Sequence, residues 1–166
     1  MSILITPLLK KNLKDALKIY NYYIDNSFSN FEEKKVSLSN FTNNYKTIQK
    51  KKLPYLAALI DKKLVGIAYL NKFRDKSGYR FAFENTIYVH NNYLKQGIGL
   101  RLLKQLITYS KKNKDIKKIV AVIGSIDSVG SIKVHKKLGF KNCGKLKKIG
   151  FKKNRWIDCI IMQKDL

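Results

Sequence analysis

Between Tyr79 and Val89 the chain alternates, with Phe81, Phe83, Asn85, Ile87 and Val89 on one side and Ala82, Glu84, Thr86 and Tyr88 on the other. A period of two over that length predicts a strand. It leads through His90-Asn-Asn-Tyr-Leu-Lys-Gln-Gly-Ile-Gly into Ile98, Leu102, Leu106 and Tyr109, which recur at helical spacing. A strand, a glycine turn and a long apolar helix cannot cover one another's apolar surface alone. The chain is thereby committed to an α/β arrangement, with this unit against further strands.

The flanking sequence supplies those strands. Ile3 and Ile5 alternate and stop at Pro7, a short strand. Leu13, Ala16, Leu17, Tyr20 and Ile24 predict an amphipathic helix over residues 11–26, and residues 26–35 are turn-like. Leu38, Phe41, Tyr45 and Ile48 predict a second helix, capped by Ser37 and stopped by Pro54. Residues 55–60 and 64–70, joined through Asp61-Lys62-Lys63, read as a hairpin. Later come a short buried strand at 119–123, a helix at 129–138 ended by Gly139, and two strands at about 145–151 and 156–163. The order β-α-α-β-β-β-α-β-α-β-β over 166 residues, without repeat or linker, predicts one mixed α/β domain spanning 1–166.

Several classes drop out on composition. No apolar run approaches the roughly eighteen residues of a membrane span. The apolar start of the chain lacks a basic region and a small-residue cleavage site, so no signal peptide is read, and a cytoplasmic location is expected. Cys143 and Cys159 form no disulfide framework and have no metal-ligand spacing; no metal is expected. The net charge of +24 raises the possibility of nucleic acid, but it comes from 31 lysines and only four arginines, scattered in short runs. Base-edge and bidentate phosphate recognition favour arginine, so solvated surface lysines are the expectation and no specific nucleic acid is implied. A positive field would still draw in small anions.

Three features carry chemistry. Gly97 and Gly99, flanked by Lys95 and Arg101, stand where a strand gives way to a helix; such a turn lets backbone amides approach a phosphate, or is simply a turn. It lacks the third glycine of a dinucleotide fingerprint and the Gly-Lys-Ser/Thr of a P-loop. Glu84 lies in an aromatic strand, where burial would raise its pKa and suit a general base; the alternative is an exposed glutamate paired with a lysine. His135, one turn before a helix end, is either a packed or capping residue or a second catalytic group.

Taken together, these stretches resemble the GNAT N-acetyltransferase superfamily. Leu94-Lys-Gln-Gly-Ile-Gly is similar to its acetyl-CoA pyrophosphate loop, and Ser131-Ile-Lys-Val-His-Lys-Lys-Leu-Gly-Phe to the helix that flanks the pantetheine arm. Ile19-Tyr-Asn-Tyr-Tyr-Ile, Ser27-Phe-Ser-Asn-Phe, Leu64-Val-Gly-Ile-Ala-Tyr, Glu84-Asn-Thr-Ile-Tyr-Val, Val120-Ala-Val-Ile-Gly, Gly150-Phe-Lys and Trp156-Ile-Asp extend the resemblance, nearest to the phosphinothricin acetyltransferase family, over most of the chain.

The resemblance implies a GNAT fold: a mixed, mostly antiparallel sheet splayed at its centre, with helices on both faces. It implies acetyl-CoA as donor and the α-amine of a small amino acid analogue as acceptor, of the phosphinothricin, methionine sulfone or methionine sulfoximine type. The alternatives are an acetyltransferase of the same fold and donor for a different amine, namely a polyamine, an aminoglycoside or a protein N-terminus, or a non-catalytic basic binding module. Glu84 falls on the family's general base and His135 on a second catalytic or positioning group. Acetyl-CoA binding falls to Ile87, Tyr88, Val89, Lys95, Gln96, Gly97, Ile98, Gly99, Leu100, Ser128 and Ser131. The acceptor pocket falls to Phe31, Arg74, Lys76 and Tyr79, and a homodimer is implied. The chain departs from the pattern in carrying Leu94 and Lys95 at the head of the loop, where Gln or Arg and then Gly are usual. It departs again at Ser128, where Asn is common, and at Lys76, where Arg is usual.

Overall fold

The computed structural model describes residues 2–126 and 128–166. Seven strands form one sheet in the order β1-β2-β3-β4-β5-β7-β6. They are β1 (Leu4–Pro7), β2 (Tyr55–Ile60), β3 (Lys63–Lys72), β4 (Ala82–Val89), β5 (Lys118–Gly124), β6 (Lys141–Lys152) and β7 (Arg155–Asp165). Four α-helices, α1 (Leu13–Asn26), α2 (Leu38–Lys50), α3 (Ile98–Lys111) and α4 (Val129–Lys137), complete the predicted order. Residues 10–12 and 77–79 are short 3-10 turns where the alternation and periodicity suggested an earlier helix and strand start.

Local chemistry sets the joints. Ser37 caps α2 by accepting from the Asn40 amide at 3.2 Å. Asp61 and Lys62 both take positive φ, 48° and 64°, the geometry of a two-residue hairpin turn that matches strand twist. Lys153 and Asn154, at 51° and 57°, make the same turn between β6 and β7.

The sheet divides the molecule into two faces. Tyr88 of β4 meets Tyr20 and Tyr23 of α1, while Tyr55 of β2 meets Tyr45 of α2, so α1 and α2 share a face with Glu84, Thr86 and Tyr88. On the opposite face a Cβ at Gly66 would lie 3.0 Å from Leu102 of α3, and Asn85 meets His135 of α4. Helices therefore cover both faces.

The one parallel junction, β4 with β5, is short. Its register covers Ala82↔Lys118, Phe83↔Ile119 and Glu84↔Val120, although β4 continues to Val89 and β5 to Gly124. On their outer sides both strands stay paired, β4 with β3 as far as Val89 and β5 with β7 as far as Gly124. The sheet thus parts beyond Glu84. Because the two strands run the same way and each leads into a helix, the N-termini of α3 and α4 lie at the open end of the cleft, where ligands bind in open α/β sheets.

Candidate active site

Strand parity decides what faces the cleft. The Phe81 carbonyl accepts from Lys118 on the β5 side at 3.1 Å, and the Ala82 carbonyl from Phe73 on the β3 side at 3.3 Å. At the far end the His90 amide donates to the Val65 carbonyl of β3 at 2.8 Å. Odd-numbered peptide groups of β4 therefore point towards β5. For Ile87 and Val89 that direction holds no strand, so their N–H groups face the cleft. The Val89 carbonyl on this side accepts the Tyr23 hydroxyl at 2.5 Å, which ties α1 to the cleft edge.

Glu84 is the last residue of β4 paired with β5. Its side chain is half-buried on the α1 and α2 face. The four ion pairs among the described residues engage Asp15, Asp25, Asp158 and Asp165, and none engages Glu84 despite the abundance of lysine. Burial raises its pKa from the ordinary 4.5 to about 6, opposed by the positive charge of Arg74. Glu84 in turn contributes, after burial, to raising the thiol pKa of Cys159 across the cleft on β7. A carboxylate near neutrality, unpaired and at a cleft edge, is suited to accepting a proton.

On the opposite face, His135 is buried and packs edge-on against Phe140 at 4.8 Å. Its Nδ1 lies 2.8 Å from the Ser131 carbonyl, an atom that can only accept, so Nδ1 carries the proton. Nε2 then accepts from Asn85 Nδ2 at 3.0 Å. Burial lowers the imidazole pKa below 6.5, partly offset by the Ser131 bond. Glu84 and His135 therefore do not form a dyad: adjacent side chains of β4, those of Glu84 and Asn85, point to opposite faces. Asn85 was missed as a functional candidate, although a lone amide between Phe83 and Ile87 on a core-facing side was its signal; its Oδ1 has no partner among the described residues.

At the open end, Gly97 caps α3 with φ 77° and Lys95 stands at 60°. The first intrahelical bond runs from the Arg101 amide to the Gly97 carbonyl at 3.1 Å. The amides of Ile98, Gly99 and Leu100 have no partner among the described residues, and Lys95, Gln96 and Gly97 are exposed. A Cβ at Gly99 would meet Val89 at only 3.8 Å, so the turn sits against the end of β4. Unpartnered amides at a helix N-terminus, flanked by Lys95 and Arg101, fit a phosphate group. Ser128 is buried at the N-cap of α4 and donates to the Ser125 carbonyl at 3.0 Å, whereas Ser131 is exposed one turn on. These residues could hold a phosphate-bearing cofactor on the α3 and α4 face.

The acceptor-side candidates divide. Phe31 is half-buried and lies across Gly124 and Gly150, on the same face as Glu84. Arg74 acts on the Glu84 carboxyl through its charge and covers the Phe73 ring at 5.3 Å. Lys76 is exposed, and Tyr79 is exposed and edge-on to Phe73 at 5.9 Å; no bond joins either to Glu84. Among the described residues no cluster of His, Cys, Asp and Glu has the geometry of a metal site, and no helix is long and apolar enough to cross a membrane.

The model of the acetyltransferase (GNAT) domain family matches residues 7–161. A phosphinothricin N-acetyltransferase of Alcaligenes faecalis is 33% identical over 148 residues, 89% of this chain and 75% of the relative. An L-methionine sulfoximine/L-methionine sulfone acetyltransferase of Pseudomonas aeruginosa is 30% identical over 156 residues, 93% of this chain and 90% of that protein. Among solved structures, a GNAT superfamily phosphinothricin acetyltransferase from Sinorhizobium meliloti in complex with AcCoA superposes with a TM-score of 0.93 at 31% identity, covering 100% of this chain and 89% of the other.

Proposed function

From the premise that the chain belongs to the GNAT acetyltransferase family, we propose that it moves the acetyl group of acetyl-CoA onto the α-amine of a small amino acid analogue of the phosphinothricin, methionine sulfone or methionine sulfoximine type. The observation that carries this reading is the position of Glu84. Its unpaired carboxylate stands where β4 and β5 part, with the phosphate-binding turn on one face and the acceptor side on the other.

An ammonium acceptor attacks only after losing a proton, and Glu84, with a pKa of about 6, takes it directly or through water at neutral pH. Attack on the thioester puts negative charge on the carbonyl oxygen. The Ile87 and Val89 amides aimed into the cleft stabilise that charge as it develops. The thiolate of CoA then leaves, taking up a proton. Gln96, Gly97, Ile98, Gly99 and Leu100 hold the pyrophosphate, with Lys95 adding charge, while Ser128 and Ser131 border the arm. Tyr88, whose ring packs on Tyr20 and Tyr23 of α1 and whose peptide points to β3, supports the cleft from behind instead of touching the arm. His135, fixed as the Nδ1–H tautomer, acts through Asn85 as a positioning group. Phe31 walls the acceptor site, and Arg74, with Lys76 and Tyr79, supplies cationic and phenolic groups for the acceptor's anionic end. Such cations oppose a polyamine acceptor.

The reading places the whole of 1–166 in one domain, in the cytoplasm, as a homodimer. The β6 and β7 edge supports the dimer: Leu146, Ile149, Phe151 and Trp156 are all exposed there, and Phe151 and Trp156 pack together at 5.1 Å. Light scattering should give twice the chain mass, and Trp156→Lys should give the monomer.

Thiol release from acetyl-CoA tests the activity. The acceptors are phosphinothricin, methionine sulfone, methionine sulfoximine, glutamate, spermidine, an aminoglycoside and a peptide N-terminus. Turnover with the first three alone supports the reading; turnover with the last three alone assigns another amine. Silence throughout with acetyl-CoA still bound discards these acceptors, and tight nucleic-acid retention at physiological salt with no acetyl-CoA binding would replace the enzyme with a basic binding module.

A further inference from the structure

Lys152, on β6, is the only lysine buried in the described structure, at 2% exposure. A buried ammonium is costly unless its donors are satisfied. It makes no ion pair among the described residues; instead Nζ donates to the Ser27 carbonyl at 3.0 Å and the Asn30 carbonyl at 2.6 Å. Both carbonyls belong to the segment that follows α1, more than a hundred residues away in sequence.

Little else holds that segment to the sheet. Among the described residues no backbone–backbone hydrogen bond ties 27–36 to the sheet. Its other bonds run within itself or to α1: Ser27 Oγ donates to the Tyr23 carbonyl at 2.8 Å, Asn30 Oδ1 accepts from the Glu32 amide at 2.9 Å, and at its far end Asn21 of α1 donates to the Val36 carbonyl and accepts from the Val36 amide, both at 3.0 Å. Yet it is closely fitted. A Cβ at Gly124 would lie 2.6 Å from the Phe28 carbonyl oxygen, and one at Gly150 would overlap the Phe31 ring. Gly124 and Gly150 pair with Cys159 and Ile157 of β7, so the two glycines expose one face, and Phe31 lies across both. Lys153 donates to the Asp25 carbonyl, and Lys153 and Arg155 lie 5.7 and 5.8 Å from the Phe28 ring. The β6–β7 hairpin thus grips the segment that carries Phe31.

We propose that Lys152 is a positioning residue: its ammonium clasps residues 27–31 to the β6–β7 hairpin and so fixes Phe31 as the wall of the acceptor pocket. This rests on the acetyltransferase reading, in which Phe31 and Glu84 share the acceptor face and the acetyl-CoA turn lies on the other. The clasp therefore governs acceptor binding and leaves acetyl-CoA binding alone, a division that general loosening of the fold would not produce.

Lys152→Met keeps an unbranched side chain one atom shorter and removes its donors. In hydrogen exchange of the full chain, amides of 27–33 should exchange at least tenfold faster while those of α3 keep their protection. The acceptor KM should rise about tenfold or more with the acetyl-CoA Kd, by calorimetry, within twofold of the wild type. Lys152→Arg, which retains N–H donors, should lie between the two in both measurements and serves as the folded comparison if the methionine variant does not fold. Unchanged protection of 27–33, or acceptor and acetyl-CoA binding weakened together, overturns the proposal. Wild-type silence towards every acceptor would defeat the acetyltransferase reading, whereas the clasp would still stand or fall on the exchange of 27–33.

Discussion

Glu84→Gln should cost activity and return stability, with both effects set by one titration. In the folded chain the carboxyl has a pKa of about 6 against an ordinary 4.5, so the native state holds its proton more tightly than the unfolded state does. Below pH 4.5 both states are protonated and Glu84 is no burden. As pH rises through 6 the folded protein must carry a partly desolvated charge, and stability falls. The difference between 4.5 and about 6 corresponds to about 2 kcal/mol at neutral pH. Water at the open side of the carboxylate trims that figure, so it is an upper bound. Glutamine has the same shape and no charge, so it removes the penalty. For a chain of this size about 2 kcal/mol raises Tm by roughly 4–8 °C. The assay is thermal unfolding of both proteins from pH 4 to 8: the curves should coincide near pH 4 and separate through pH 6, with the glutamine variant higher. In parallel, kcat/KM of the wild type should fall below a pKa near 6. The variant should lose that limb together with a factor of about 10²–10⁴ in turnover, while its acetyl-CoA Kd is unchanged. A Tm difference independent of pH, or a less stable variant at pH 8, would refute the assignment of a desolvated, unpaired carboxylate.

Other consequences follow from the same geometry. Lys95 holds φ 60° where glycine would be at ease, so Lys95→Gly should leave stability unchanged or raise it by up to about 1 kcal/mol, and change the acetyl-CoA Kd less than tenfold. Gly97→Val, forced to φ 77°, should weaken acetyl-CoA binding far more; calorimetry on the pair decides whether backbone amides or lysine charge dominate. Nitrogen-15 spectra of the imidazole should show His135 as the Nδ1–H tautomer titrating below 6.5, and an ordinary pKa or the other tautomer would remove its bond from Asn85. Gly124→Ala places a methyl against the Phe28 carbonyl, so the loop must shift; denaturant unfolding should show a loss of about 1–3 kcal/mol, with acceptor KM raised.

Much of the frame was legible because patterned elements here are patterned by burial. The strand carrying Phe83 and Asn85, and helix α3 with Leu102 and Leu106 fully buried, announce themselves through periodicity. Strand β6 was only half legible. It runs Lys141–Lys152, four residues earlier than the apolar pattern begins, because Lys141, Asn142, Cys143 and Gly144 lie exposed on an edge strand and are held by pairing with β7, which no local pattern encodes. The alternation also put Glu84 and Asn85 on opposite sides of β4, enough to foresee that a histidine meeting Asn85 cannot meet Glu84. What it lacked was the face on which α4 packs.

Lys152 shows where such reading ends. In a chain with 31 lysines, one more after Gly150-Phe151 has the appearance of surface charge. Its burial comes from two non-local facts: β6 pairs with β7 so that Lys152 points to the face of α1, and the segment after α1 brings two carbonyls to its ammonium. Neither fact lies within any window of sequence. The same holds for Gly124 and Gly150, which have negative φ and are required for space alone, the space that Phe28 and Phe31 occupy from more than ninety residues upstream. Residues that hold the substrate's surroundings in place are selected by tertiary packing, whereas those that move a proton or cradle a phosphate are selected by chemistry that a strand end and a helix start already display. A search for function in sequence therefore finds Glu84 and Gly97 first and the clasp last.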